Sequence, residues 1–346
     1  MITVPVETPS GAYEVLVGAG LLDTLAARLH GRIAVITDET VLALHGAALP
    51  ADALVLSVPP GEASKSLAQA ERLWTALLAA GIGRSDTIVA FGGGVVGDLA
   101  GFVAATLHRG TPFVQVPTTL LAQVDSSVGG KVAIDHPLGK NLIGAFHQPR
   151  LVLADLRTLE TLPIRERWSG LAEIVKAALL GDLELLALLE RDLEAIAERP
   201  GAEAVARSIA IKARIVAADE KESGLRRVLN LGHTVGHALE VAAGYGALTH
   251  GEAVVYGMRA ALRISERYAG LSRADAERAL ALLRRFPSGP LPVRDTDALL
   301  AAAGRDKKRE GAHVHYVVLP ALGQAATLRA DEGMLREAID AALEEA

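Results

Sequence analysis

Thr87-Ile88-Val89-Ala90-Phe91-Gly92-Gly93-Gly94-Val95-Val96-Gly97-Asp98 reads as a strand, a glycine turn and the start of a helix. A short apolar run of this kind suits a strand buried on both faces, as in a parallel sheet. Glycines let the backbone approach a phosphate, and the helix N-terminus that follows offers amide donors and a positive dipole end. The pattern is not a clean GxGxxG, and a tight turn without a ligand explains it equally well when it is read alone. Thr87 to Leu107 is also the one stretch that resembles a membrane span. Three consecutive glycines and Asp98 favour a buried strand followed by a buried helix instead.

Outward from this stretch the chain alternates. Ile2–Val6 and Tyr13–Val17 flank a Pro9-Ser10-Gly11 turn and predict a hairpin. Ile33–Thr37, Ala53–Val58 and Pro112–Val116 are further short apolar runs, and Leu21–Leu29, Ser66–Ala80 and Val95–Leu107 have helical periodicity between them. The layout is α/β and Rossmann-like. After Leu151–Ala154 the character changes. Pro163–Glu194, Ala202–Asp219, Thr234–Ala243, Gly251–Ala269, Ala274–Arg285 and Glu332–Glu344 carry apolar residues at three and four, with one strand expected at His313–Leu319. The expectation is an α/β N-terminal domain over 1–155 and an all-helical domain over 156–346, apart from that strand, with an active site in the cleft between them.

The chain has 346 residues, a length that favours two domains, and a net charge of −6 without long runs of one sign. No basic face invites a nucleic-acid backbone. The absence of cysteine excludes a disulfide framework, a thiolate zinc site and a cysteine nucleophile. Met1–Glu7 has neither a basic nor an apolar signal region, so a cytoplasmic protein without a membrane partner is expected. Only 8 of the 35 basic side chains are lysine. Lys65, Lys131, Lys140, Lys176, Lys212, Lys307 and Lys308 therefore raise the question of why arginine was not used. A compact ammonium at a phosphate or a reacting centre is poorly replaced by a guanidinium, so the set leans functional. Lys221, inside a charged run, does not.

Three further stretches carry chemistry. Pro60-Gly61-Glu62-Ala63-Ser64-Lys65 follows a strand and offers a second cradle for a nucleotide. Val116–Lys131, continuing through Asp135 to Gly144, is long, polar and glycine-punctuated between apolar elements, and a solvated loop seldom carries Thr, Ser, Gly and Lys in so apolar a frame. Lys131, Lys140 and Asn141 can hold an anion there, while Asp125 suits a metal, a hydroxyl or a lysine. His233-Thr234-Val235-Gly236-His237 puts two imidazoles at i and i+4 on one helix face, and His250-Gly251-Glu252 opens the next helix. With Glu173, which shares a face with Lys176, these make a His/carboxylate set suited to zinc with an open coordination position. Spacing alone selects His233 and His237 as the pair, although surface and capping histidines produce the same spacing.

Taken together, Pro60–Leu67, Gly92–Asp98, His108-Arg109-Gly110, Val116–Lys131, Pro137–Gly144, Ser169–Lys176, Ala217–Glu220, Leu229–Thr234, His250–Ala253 and Arg305–Lys308 resemble 3-dehydroquinate synthases, within the sugar-phosphate cyclase superfamily. The resemblance spans most of the chain. It implies NAD, held by Pro60, Gly61, Glu62, Ala63, Ser64, Lys65, Gly94, Val95, Val96, Gly97, Asp98, Thr118, Thr119, Lys131, Lys140, Thr158, Leu159, Glu160 and Thr161. It implies a divalent metal, zinc or cobalt, on Glu173, His233 and His250, which moves His237 from the ligand pair into the catalytic set. That set further comprises Arg109, Asp125, Lys131, Asn141, Lys176, Lys212, Arg226, Asn230, Lys307 and Lys308.

The implied partner is a small phosphorylated sugar acid, and the implied assembly is a homodimer. The implied reaction is a carbon–oxygen lyase step of the shikimate pathway, turning 3-deoxy-D-arabino-heptulosonate 7-phosphate into 3-dehydroquinate and phosphate. It runs by transient oxidation at C5, phosphate elimination, re-reduction, ring opening and an intramolecular aldol closure. The rivals are another sugar-phosphate cyclase, a metal-dependent polyol dehydrogenase of the glycerol dehydrogenase type, and a non-catalytic nucleotide-binding relative.

Overall fold

A computed structural model describes residues 1–244, 246–287, 289–310 and 314–345, the side chains of 304–310 excepted. Strands β1 (Ile2–Thr8), β2 (Gly11–Gly18), β3 (Ile33–Asp38), β4 (Leu54–Val58), β5 (Thr87–Gly92), β6 (Phe113–Pro117), β7 (Lys131–His136), β8 (Gly139–Phe146) and β9 (Leu151–Asp155) come first. Helices α1 (Glu39–His45), α2 (Leu67–Ala79) and α3 (Gly94–Thr106) are interspersed among them. Helices α4 (Ile164–Gly181), α5 (Leu183–Glu198), α6 (Ala202–Ala218), α7 (His233–Ala243), α8 (His250–Tyr268), α9 (Arg273–Leu283) and α10 (Thr296–Glu310) follow. Strands β10 (Val314–Ala321) and β11 (Gln324–Ala330) and helix α11 (Glu332–Glu344) complete the order.

Contacts divide the chain into two compact units, Met1–Pro163 with Arg199–Lys221, and Ile164–Glu198 with Glu222–Ala346. This differs from the single boundary expected at 155. Helix α6 follows two helices of the second unit in sequence yet packs along β1 in the first. An apolar stripe announces that a helix is buried; it does not say against what.

The first unit is built on a seven-stranded sheet of order β1-β2-β9-β6-β5-β3-β4, antiparallel only between β1 and β2. Strand alternation splits its core between the two faces. Ala34, Ile36, Ile88 and Ala90 meet α2 and α3 on one side, while Val35, Val89 and Phe91 meet Leu21, Leu22, Leu25 and Val41 on the other. Strand β4 lies on one side of β3 and β5 on the other, so the connection reverses direction there. In open α/β sheets ligands bind beyond the carboxyl ends of the strands at such a switch point. Strand β5 ends there in the Gly92–Gly94 turn.

The polar stretch from Val116 to Gly144 contains a turn of π-helix at Ala122–Ser126 and the antiparallel hairpin β7–β8. Val132 and Ile134 enter the core and fix that hairpin. Their alternation is hidden in sequence by the lysines and glycines around them.

The second unit is helical, with one amendment to the all-helical expectation: β10 and β11 form an antiparallel hairpin. Helix α8 packs against α4, α7, α9 and α11. It is buried over most of its length, as a central helix must be. No helix among the described residues is long and apolar enough to cross a membrane.

Candidate metal centre and dinucleotide site

In the second unit, three helices each bring one ligand-type side chain to one point. Glu173 comes from the buried middle of α4, His233 opens α7 and His250 opens α8. Their donor atoms lie within 4.8 Å of one another. His233 Nε2 is 3.8 Å and His250 Nε2 3.4 Å from Glu173 Oε1. Two imidazoles and one carboxylate, with no thiolate, match a catalytic zinc site that keeps a position for substrate. The donor set fits a divalent ion.

Local sequence explains the convergence. Thr249 caps α8 in a capping box with Glu252, which places His250 at the first helical position. Arg165 of α4 grips both carboxylate oxygens of Glu252, at 2.8 and 2.7 Å. Ser169 Oγ, also on α4, accepts from Gly251 N at 2.9 Å. The first turn of α8 is thus tied directly to the helix that carries Glu173.

Charge within the cluster is strongly coupled. Burial, with the Lys176 ammonium adding to it, holds the His233 imidazole well below its ordinary pKa. For His250 burial works in the same direction, but the Glu173 and Glu240 carboxylates outweigh it and push the value up to about 10. Lys176 is itself buried and paired with Glu173 Oε2. His237 stands exposed one turn beyond His233, with ring centroids 5.2 Å apart. It is absent from the Glu173 cluster and belongs to a second grouping with Glu240 and His250. The pair chosen by spacing alone is therefore divided between two groupings. Arg226 is buried in a short 3-10 turn that ends at the exposed Asn230. Lys307 and Lys308 lie outside the residues whose side chains are described.

The first unit gathers another set. Gly93 caps α3 with no side-chain hydrogen bond, and the first turn of α3 carries no acid. That leaves a helix N-terminus suited to a pyrophosphate, so the residues present fit a dinucleotide. The buried Lys65 pairs with Asp98 at 2.6 Å and also meets the Asn141 amide oxygen, and Lys140 lies 3.4 Å from Glu62. Burial raises the Asp98 pKa against the pull of Lys65. Of the three partners considered for Asp125, the structure provides a lysine. Lys212 Nζ donates to both its carbonyl and its Oδ1, each at 2.6 Å.

Thr118 and Thr158 are buried, and Thr119 Oγ1 accepts from Ala122 N. Thr161 Oγ1 donates to Thr158 O and meets His45 Nε2 at 2.9 Å. Lys131 begins β7 and is exposed, as are Pro60, Gly61, Glu62 and Ala63. His108 and Arg109 occupy consecutive left-handed conformations, φ 52° and 65°. Such strain persists only where surroundings enforce it, and it clusters at functional sites.

Sequence reading missed Glu240, whose Oε1 lies 3.5 Å from His250 Nδ1. Its one signal was position: three residues after His237 and seven after His233, hence on the same face of α7.

A parallel-rich α/β sheet followed by a helical unit is the fold that this chain shares with sugar-phosphate cyclases. The structure of 2-deoxy-scyllo-inosose synthase complexed with carbaglucose-6-phosphate, NAD+ and Co2+ matches with a TM-score of 0.88 at 27% identity, over 98% of this chain and 99% of that one. The structure of 2-epi-5-epi-valiolone synthase from Streptomyces hygroscopicus subsp. jinggangensis, with NAD+ and Zn2+ bound, matches with a TM-score of 0.86 at 29% identity, over 96% and 97%. The 3-dehydroquinate synthase of Caulobacter vibrioides is 51% identical over 93% of this chain and 94% of its own. Models of the 3-dehydroquinate synthase N-terminal and C-terminal domains match residues 55–169 and 170–309. The chain belongs to the 3-dehydroquinate synthase family.

Proposed function

We propose that the chain is a carbon–oxygen lyase converting 3-deoxy-D-arabino-heptulosonate 7-phosphate to 3-dehydroquinate and phosphate, working as a homodimer in the cytoplasm. The observation that carries this reading is the Glu173, His233 and His250 cluster with Lys176 at its edge, in a chain 51% identical to a 3-dehydroquinate synthase. Glu173, His233 and His250 hold the divalent ion, which when bound polarises a substrate hydroxyl and lowers its pKa. Gly94–Asp98, Gly61–Lys65, Thr118, Thr119, Lys140 and the Thr158–Thr161 turn hold NAD+, which when bound accepts and later returns a hydride.

The remaining chemistry belongs to side chains of this chain. Lys176 presents a buried ammonium at the edge of the metal cluster, where it binds a substrate oxygen and offsets the Glu173 charge. Lys131, Asn141 and Arg109 hold the phosphate, a dianion that itself takes the proton as it leaves. Asp125 fixes the Lys212 ammonium so that it meets substrate in one orientation. His237, exposed beside His233, exchanges protons in the later ring-opening and aldol steps. Arg226, Asn230 and one of Lys307 and Lys308 complete the polar lining.

The test is to supply the heptulosonate phosphate with NAD+ in catalytic amount and follow phosphate and NADH together. Phosphate released in step with substrate loss, without NADH build-up, is expected. One NADH per substrate consumed would make the chain a polyol dehydrogenase. Turnover of a different sugar phosphate in its place would make it a sister cyclase.

A further inference from the structure

The two histidines of the metal cluster are held from behind by different means. His233 Nδ1 is 3.1 Å from the Leu231 carbonyl, a neutral backbone acceptor, while its Nε2 faces Glu173. His250 also turns Nε2 toward Glu173, but its Nδ1 faces a carboxylate, Glu240 Oε1, at 3.5 Å. A neutral imidazole offers a lone pair from one nitrogen only and donates a proton from the other. With Nε2 directed into the cluster, Nδ1 keeps the proton and donates it to Glu240. Donation to a carboxylate fixes the tautomer and the ring plane, and it makes the opposite nitrogen a stronger ligand.

We propose that Glu240 is a positioning residue, which orients His250 for the metal and sets how tightly the ion is held. The proposal rests on the reading of Glu173, His233 and His250 as ligands. Glu240 is suited to the task by placement. It sits on the face of α7 that also carries His233 and His237, and its side chain is only 20% exposed. The alternative reading of the same atoms is that Glu240, His237 and His250 are themselves the ligands, since their donors also lie within 4.8 Å. That arrangement would take the lone pair of Nδ1 and leave the Nε2 proton facing Glu173. It would also move the ion toward the exposed side chain of His237.

The experiment measures Zn2+ affinity of the full chain by competition with a chromophoric chelator. It compares wild type with Glu240→Ala, Glu240→Gln and Glu173→Gln, and records the melting temperature of each metal-free form. Glu240→Ala is expected to weaken Zn2+ binding by about 10- to 100-fold. Glu240→Gln, which keeps an acceptor without the charge, is expected to fall between it and wild type. The metal-free melting temperatures of the two Glu240 variants should stay close to wild type, and the visible spectrum of the Co2+-loaded Gln variant should shift, because a ligand has been reoriented rather than lost. Wild-type affinity in Glu240→Ala would overturn the proposal. So would a drop in metal-free stability large enough to account for the weaker binding. Glu173→Gln separates the two readings. If it loses Zn2+ while Glu240→Ala does not, only the positioning role fails. If it keeps Zn2+ while Glu240→Ala loses it, the ion belongs to the His237 grouping and both readings fall.

Discussion

Asp86 stands just before β5 and accepts from Arg32 N at 2.8 Å through one oxygen and from Gly83 N at 2.7 Å through the other. It therefore registers the start of β5 against the start of β3, the two strands whose far ends flank the switch point. The Gly83 amide, with Arg32 adding to it against burial, holds its pKa below the ordinary carboxylate value. A depressed folded-state pKa contributes stability that is present above the unfolded value, near 3.9, and is lost as pH falls through the folded one. Asp86→Asn should cost about 1–3 kcal/mol at pH 7, the range for a hydrogen-bonded charged acceptor. The gap in urea denaturation should hold from pH 8 to 5 and narrow only below about pH 4. A gap that closes between pH 8 and 6 would contradict this. Among single residues, composition singles out the lysines, four of which sit in ion pairs. Lys65, Lys140, Lys176 and Lys212 each lie against a carboxylate, at Asp98, Glu62, Glu173 and Asp125. Glu240 was not legible, because one more glutamate on an amphipathic helix looks like solvent-facing charge until the imidazole of another helix is seen beside it.

At the scale of elements, the metal cluster depends on how closely α4, α7 and α8 approach. A Cβ built on Gly257 of α8 would lie 1.8 Å from the carbonyl oxygen of Gly232, immediately before α7, and one on Gly251 would lie 2.2 Å from Ser169 O of α4. Neither neighbour is a side chain that can rotate away. Gly257→Ala must therefore separate α7 from α8, carrying His233 away from His250. The expected loss is at the top of the overpacking range, about 3 kcal/mol or more, with Zn2+ affinity falling alongside stability. A variant that melts and binds Zn2+ as wild type does would contradict the claim that the crossing of α7 and α8 requires glycine at 257. The sequence displayed the period-3.6 stripes of α7 and α8 and the parallel strands of the sheet, because each is a local repeat. The hairpin β7–β8 was not legible. Its inward residues Val132 and Ile134 are separated by one alanine and framed by Lys131, Asp135 and the exposed Pro137-Leu138 turn, so composition outweighed alternation. Helix α1, seven residues capped by Asp38, is too short to show a period.

For the whole molecule, local patterns identified α6 as a helix but not its membership of the first unit, where it carries Lys212 to Asp125. Assembly lies one step further still from local sequence, and Arg109 is where it can be tested. Helix α3 has 13 residues, so its two ends stand about 20 Å apart at 1.5 Å per residue. Arg109 follows the end opposite the glycine turn, held with His108 in a left-handed conformation that an ordinary surface turn would give to glycine. In the homodimer proposed above, an arginine at that end of α3 is expected to serve the site of the partner subunit, as the resemblance to 3-dehydroquinate synthases implies. The check is to co-refold Arg109→Ala with Glu173→Gln, each inactive alone. In a mixed two-fold dimer the subunit with an intact Glu173 receives Arg109 from its partner, and one of the two sites is complete. Random pairing makes about half the dimers mixed, so activity should recover to about a quarter of wild type. If Arg109 acts within its own chain, every site in the mixture lacks one of the two residues, and activity stays at the level of the single variants.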